Sequence, residues 1–221
     1  MSHKIKKLTA DWLLAMIAGL CISLCGAVYF SCPNPIMGSF LFGLGLCTII
    51  FFELKLYTGK VGYTPSNGPA HLIHLVWIWA GNYVGVWMGA TLQKMTRVGE
   101  KLATAAQNVV QTKMEDSYLS LFILAFFCGL IMYIAVEGSK RTPDGSTVQL
   151  AMVLLPVAVF IICGFEHCIA DLYYFSMAGF AKDAWLRILV ITAGNSVGSI
   201  VLHLAVNFEV HELEQETPPN N

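Results

Sequence analysis

Charge is what this sequence has least of. Only 12% of its 221 residues are Asp, Glu, Lys or Arg, and 56% are hydrophobic. Soluble domains carry about 25% charged residues. A chain this poor in charge cannot cover a surface that faces water on every side, so part of it must face lipid. The 13 basic and 14 acidic residues nearly balance, which excludes the basic field that nucleic-acid binding needs. No CxxC pair is present. The seven cysteines lie mostly in apolar runs, where a thiol packs as a small hydrophobe. Cys21/Cys25 and Cys163/Cys168 have no clustered ligands beside them, so neither a metal centre nor a disulfide framework is expected. No cofactor is expected either. No small-x-small cleavage site follows the first apolar run, Trp12 to Phe30, which is long enough to span a bilayer and longer than a signal h-region. It reads as a membrane helix.

Six apolar segments can be traced, at about residues 10–30, 36–54, 70–92, 117–136, 148–163 and 184–208. They predict an all-α membrane protein of six transmembrane helices in one channel domain over residues 1–221. A polar, amphipathic connection with Lys94, Arg97, Lys101 and Lys113 joins the third segment to the fourth. A polar tail, 209–221, is expected to fray. Lys4, Lys6 and Lys7 precede the first segment and the loop after it has no Lys or Arg. This favours a cytoplasmic N-terminus, with the C-terminus on the same side after six spans of the cell membrane.

The most informative feature is a repeat. Ala80-Gly81-Asn82-Tyr83-Val84-Gly85 recurs as Ala193-Gly194-Asn195-Ser196-Val197-Gly198. Each copy lies in the last span of a three-helix half, about 10–92 and about 117–208. Each half also has an interrupted middle segment, near 55–60 and near 164–171. Three spans per half is odd, so the halves would enter the membrane in opposite directions. Such inverted repeats put a conduction site near the midplane.

Backbone that leaves a helix inside lipid strands its N–H and C=O groups, and survives only where protein or a wet cavity satisfies them. Two such breaks facing each other would mark a pathway. The helix that resumes after each break offers free N–H groups and a positive dipole end, which suits a small anion. His167 stands in the second break, and an ionisable residue at that depth is a functional candidate. Glu166 reads as a hydrogen-bonding partner for the broken backbone. His203 reads as a packed histidine, and His71 and His74 as interfacial.

At these residues the chain resembles the formate/nitrite transporter family, over about residues 8–208. Gly164-Phe165-Glu166-His167-Cys168-Ile169-Ala170 is similar to the family's G-[FY]-E-H-S-I-A-N. Leu56-Tyr57-Thr58-Gly59 is similar to E-L-F-T-G-N, and Gly194-Asn195-Ser196-Val197-Gly198 to G-N-x-x-G. The resemblance implies an aquaporin-like subunit of a homopentameric anion channel rather than an enzyme. It implies that His167 is the central pore histidine, facing Thr58 on the loop that interrupts the second helix. It makes Lys113 the lysine of an electropositive vestibule and Asn195 the asparagine of the sixth helix. Phe42, Leu46, Leu56, Tyr57 and Phe160 fall at its constriction positions. Four positions depart from the family pattern: Lys55, Lys60, Gly129 and Asp171. A compensating ion pair between Lys55 and Asp171 is expected from the first and last of these, the alternative being that Lys55 snorkels to the interface while Asp171 faces a wet vestibule.

The function expected is passage of small monovalent anions of weak acids, such as formate, nitrite, hydrosulfide or short carboxylates. A bare anion meets a large desolvation penalty at apolar rings. Protonation on the way in would let the neutral acid pass, with His167 either giving the proton or holding the midpoint by hydrogen bonds. A neutral-solute pore is an alternative, but it would need no basic vestibule, and the paired Asn-Pro-Ala signature of such pores is absent. A membrane-embedded enzyme would need a nucleophile-plus-base pair or clustered ligands within the spans, and none is visible.

Overall fold

The computed structural model describes the backbone of residues 3–216 and the side chains of residues 5–208. Among these residues every regular element is a helix. In chain order they are α1 (His3–Ser31), α2 (Pro35–Phe51), a 3-10 turn (Val61–Tyr63), α3 (Thr64–Asn67), α4 (Pro69–Lys94), α5 (Gly99–Glu115), α6 (Tyr118–Lys140), α7 (Thr147–Ile162), α8 (Cys168–Ala178) and α9 (Ala184–Glu216). Three stretches are long and apolar enough to cross a membrane: Ile5–Ser31, Tyr118–Lys140 and Ala184–Phe208. Two shorter apolar helices, Pro35–Phe51 and Thr147–Ile162, stop partway.

The starts of the inner helices follow from local chemistry. Asn34 Oδ1 accepts from the N–H groups of Ile36 (3.0 Å) and Met37 (3.1 Å), and Pro35 opens α2 where its missing donor costs nothing. Ser117 and Ser146 cap α6 and α7 in the same manner. The connection at 93–116 is itself mostly helix α5, and α8 follows the second break; neither was among the six predicted segments. At the other end, α9 continues through Glu216 into the expected fraying tail, whose last five residues lie outside the described ones.

Two helix pairs frame the molecule. Trp77 Nε1 donates to the Leu8 carbonyl near the starts of α1 and α4, and the Gln93 amide donates to the Ser23 carbonyl farther along both. The helices therefore run parallel. In the second half, Arg187 reaches the Asp116 carbonyl at the starts of α6 and α9, and Tyr133 meets His203 farther along. These also run parallel. The end of α1 packs Phe30 on Tyr174, whose ring lies 5.7 Å from Lys113 Nζ, just before α6 begins. So α6 starts where α1 ends, and the second half is inverted against the first. Glycines permit the close approach. A Cβ on Gly85 would strike the Met16 carbonyl oxygen, and one on Gly198 would strike that of Phe126. The repeated motif thus has a packing duty in both copies.

Candidate functional site

Helices α2 and α7 end by the same device. Glu53 has φ 52° and Gly164 φ 67°. The next residue's N–H turns back to a carbonyl in the helix: Leu54 to Ile49 and Phe165 to Phe160, each at 2.9 Å. This is the left-handed helix stop, which satisfies carbonyls the helix leaves open. It places the first break three residues earlier than the predicted segment end at 54.

Beyond each stop the extended backbone is held by one asparagine. Asn82 Oδ1 accepts from the Tyr57 N–H at 2.9 Å, and its amide donates to the carbonyls of Ala15 and Lys55, both at 2.8 Å. Asn195 Oδ1 accepts from the Cys168 N–H at 2.8 Å, and its amide donates to the carbonyls of Ala125 (2.8 Å) and Glu166 (2.7 Å). Both asparagines are fully buried. One amide side chain can accept once and donate twice at one point, which is what a broken backbone in a dry interior requires. Asn82 was legible only as part of the repeat; its role was missed, although the recurrence of Gly-Asn-x-x-Gly was the signal for it.

These bonds fix the correspondence of the two breaks. Lys55 matches Glu166 and Tyr57 matches Cys168, which carries Leu56 onto His167 and Lys60 onto Asp171. They also explain Gly129. A Cβ there would strike the Asn195 carbonyl, as one on Gly19 would strike that of Asn82. An asparagine at position 129 would not fit this packing.

The two breaks meet at Thr58 and His167. Thr58 Oγ1 and His167 Nε2 are 2.9 Å apart, and both residues are buried. His167 Nδ1 accepts the Ala170 N–H at 3.1 Å and so caps α8. With Nδ1 accepting, the proton of a neutral ring sits on Nε2 and is donated to Thr58 Oγ1; this tautomer is assigned from the bonds. The Thr58 hydroxyl is then left with its own proton to give. Phe160 stacks on the His167 ring at 5.5 Å between centroids and meets Phe42 edge-on at 6.1 Å. Leu46 and Leu56 instead line a cavity of about 720 Å³ that opens where α6 ends and α7 begins. Tyr57 is turned toward α9, its hydroxyl 2.9 Å from Ser196 Oγ. Asn195 touches backbone alone among its hydrogen-bond partners, so its place is behind the break.

Lys113 differs from what was expected of it. It is buried, and its ammonium bonds Glu166 and also Asp171 Oδ1, the latter at 2.9 Å. Two carboxylates surround one ammonium, so no positive charge is left over to make a vestibule electropositive. The expected Lys55–Asp171 pair is also corrected. Asp171 is taken by Lys113, and among the described residues Lys55 has no carboxylate within salt-bridge distance. Sequence spacing could not show that α5 delivers a third charge to the same point. Arg187 holds that delivery in place by donating to the Lys113 and Asp116 carbonyls at 2.8 and 2.6 Å. His203 is packed between Tyr63 and Tyr133, with Ser66 and Tyr133 hydroxyls on its two nitrogens. His74 meets Asp11 at 3.1 Å. Among the described residues no group of His, Cys, Asp and Glu could hold a metal ion, and the seven cysteines are free thiols.

A sequence profile described as formate/nitrite transporter matches residues 2–208. The chain is 27% identical over 190 residues to the formate channel FocA of Escherichia coli, a match covering 77% of this chain and 66% of that protein. The chain therefore spans just under two thirds of that relative's length. It is 24% identical over 221 residues to the nitrite transporter NirC of Salmonella typhimurium, covering 86% of this chain and 79% of the other. A solved structure described as a pentameric formate channel with formate bound superposes with a TM-score of 0.78 at 23% identity, covering 96% of this chain and all of that one. At that identity the superposition speaks for the fold.

Proposed function

This chain belongs to the formate/nitrite transporter family and is a multi-pass membrane protein, and from that premise we propose that it forms a channel for small monovalent anions of weak acids. The observation that carries the reading is the Thr58–His167 contact, set by two inverted, asparagine-held breaks. It provides hydrogen-bond donors at the buried point where the two breaks meet. Next to this pair the walls are apolar: Leu46 and Leu56 line the inner end of the cavity, and Phe160, stacked on His167, meets Phe42 edge-on.

This arrangement divides the task physically. A formate- or nitrite-sized anion keeps its water in the cavity and loses it at Leu46 and Leu56, where charge is expensive. Desolvation favours the protonated, neutral acid. The neutral acid crosses the rings and meets the Thr58 hydroxyl, which has a proton to donate because His167 Nε2–H already fills one of its acceptor sites. His167 serves best as a neutral hydrogen-bonding group. Taking a second proton would require Nδ1 to release the Ala170 N–H that it caps, so the proton carried by the acid is drawn from water at the mouth. Six spans per subunit, a homopentamer in the cell membrane with lipid around it, and both chain ends on the cytoplasmic face complete the proposal. The pentameric state of the matched formate channel supports the assembly, and the basic N-terminal residues support the orientation.

The test is stopped-flow uptake into proteoliposomes, comparing formate, nitrite, hydrosulfide, lactate and glycerol at several pH values. Flux of the acids should rise as pH falls toward their own pKa values, and glycerol should not pass. His167→Asn, which cannot reproduce both ring-nitrogen contacts, should lower formate flux about tenfold or more, the loss of roughly one buried hydrogen bond. Its pH profile should keep the wild-type midpoint, because the titrating group is the substrate. Glycerol passage with no acid flux would overturn the reading, and a midpoint displaced by His167→Asn would return the proton-donor role to the histidine.

A further inference from the structure

The correspondence of the two breaks exposes an imbalance of charge. Glu166 and Asp171 stand at equivalent places to Lys55 and Lys60. In the second break both acids converge on one cation, Lys113. In the first break both bases line the cavity of about 720 Å³, together with Lys140. Nothing in the described chain plays the part of Lys113 with its sign reversed. Among the described residues neither Lys55 nor Lys60 has a carboxylate within salt-bridge distance.

The acids nearby are directed elsewhere or lie in the open. Glu137 accepts from Tyr63 Oη at 2.7 Å and from Arg141 at 2.8 Å. Asp144 accepts from the Gln149 amide at 3.1 Å. Glu53 and Asp144 are exposed on the cavity rim, and Lys140 donates to the Tyr63 hydroxyl at 2.7 Å. Among the described residues that line the cavity, three lysines face two acids, Glu53 and Asp144, and the next acid toward Lys60, Asp11, is bonded to His74. Lys55 also adjoins Leu56, and Lys60 lies two residues after Thr58, on the loop that the conducted species must pass.

We propose that Lys55 and Lys60 form a capture site for one small monovalent oxyanion, which supplies the counter-charge that the described residues do not bring within salt-bridge distance. The inference rests on the channel reading and deepens it. Anion capture belongs to the face where α1 begins and α6 ends, and the Lys113 cluster serves as a support for the second break. The low-dielectric floor formed by Leu46 and Leu56 strengthens the attraction, since a charged cleft over apolar walls concentrates counter-ions. The site ends where desolvation begins, so the ion is held one step before it must be protonated.

The experiment measures formate flux against concentration in right-side-out and inside-out membrane vesicles. The Lys55→Gln/Lys60→Asn double variant should raise the half-saturating concentration about tenfold for entry from the α1-start face, and by less than about twofold from the other. Lys55→Arg/Lys60→Arg should stay close to wild type, which a merely steric role would not give. An equal rise from both faces, or no rise, overturns the site. If wild-type vesicles pass no formate or nitrite, the channel reading has failed, and the site is judged separately in detergent. Formate should then raise the melting temperature of the wild type but not of the double variant; equal shifts, or none in either, overturn it.

Discussion

The first and second breaks share one backbone and almost none of their chemistry. Each begins at a left-handed helix stop, runs extended for a few residues and is held by an asparagine with one accepted and two donated bonds. Yet the first carries Lys, Leu and Lys where the second carries Glu, His and Asp. The second is sealed, with His167, Glu166 and Asp171 all buried. The first faces a cavity open to water. A symmetric frame has been given two different fillings. The lesson is that backbone satisfaction and selectivity are separable here, because the asparagines act on main-chain groups and leave the side chains free to differ.

The sharpest way to break the comparison is Lys113→Met. It has no counterpart in the first break, and it leaves Glu166 and Asp171 buried without a cation. Stranding buried charge in this way costs about 3–5 kcal/mol, so thermal unfolding in detergent should show a drop of many degrees, and a melting temperature near wild type would show that the acids are not held as described. Next come Asn82→Ala and Asn195→Ala. Each orphans an amide N–H and two carbonyls, at about 1–3 kcal/mol for a buried group left unpaired. Similar losses from the two variants would uphold the shared frame; a harmless change at one site would break it.

Smaller effects test the packing and the stops. Gly19→Ala and Gly129→Ala each push a methyl against the carbonyl of the asparagine they face. Overpacking of this kind costs about 1–3 kcal/mol, and the two melting temperatures should fall together. The smallest effects have opposite signs. Glu53 holds a left-handed conformation that its equivalent, Gly164, adopts freely, and a Cβ on Gly164 would meet nothing within 4 Å. Glu53→Gly should therefore stabilise, and Gly164→Ala destabilise, by about 1 kcal/mol each. Changes of the same sign at both stops would show that local strain is not what distinguishes them.

Much of the frame was legible in advance for a specific reason. Lipid permits only a narrow menu of backbone, so apolar runs, their interruptions and a repeated Gly-Asn-x-x-Gly translate almost directly into helices, breaks and close crossings. The site was legible in part. His167 and Thr58 were named from their motifs, and the structure brings them into contact. Lys113 was placed but misread, since nothing along the chain says whether a lysine before a span faces water or two carboxylates. The Lys55–Asp171 pairing failed for the same reason, because charges were matched by sign without knowledge of a third one nearby.

By itself, then, the sequence determined that this chain enters a membrane, that it does so in two similar halves, and where each half interrupts its helix. Those outcomes depend on composition and on residues close together in the chain. Only the tertiary structure decided which charges are paired and which are not: Lys113 comes from α5 to bind both acids of the second break, while among the described residues no acid comes within salt-bridge distance of Lys55 or Lys60 in the first. Electrostatic energy depends on separation in space and on burial, and neither is written in the order of residues.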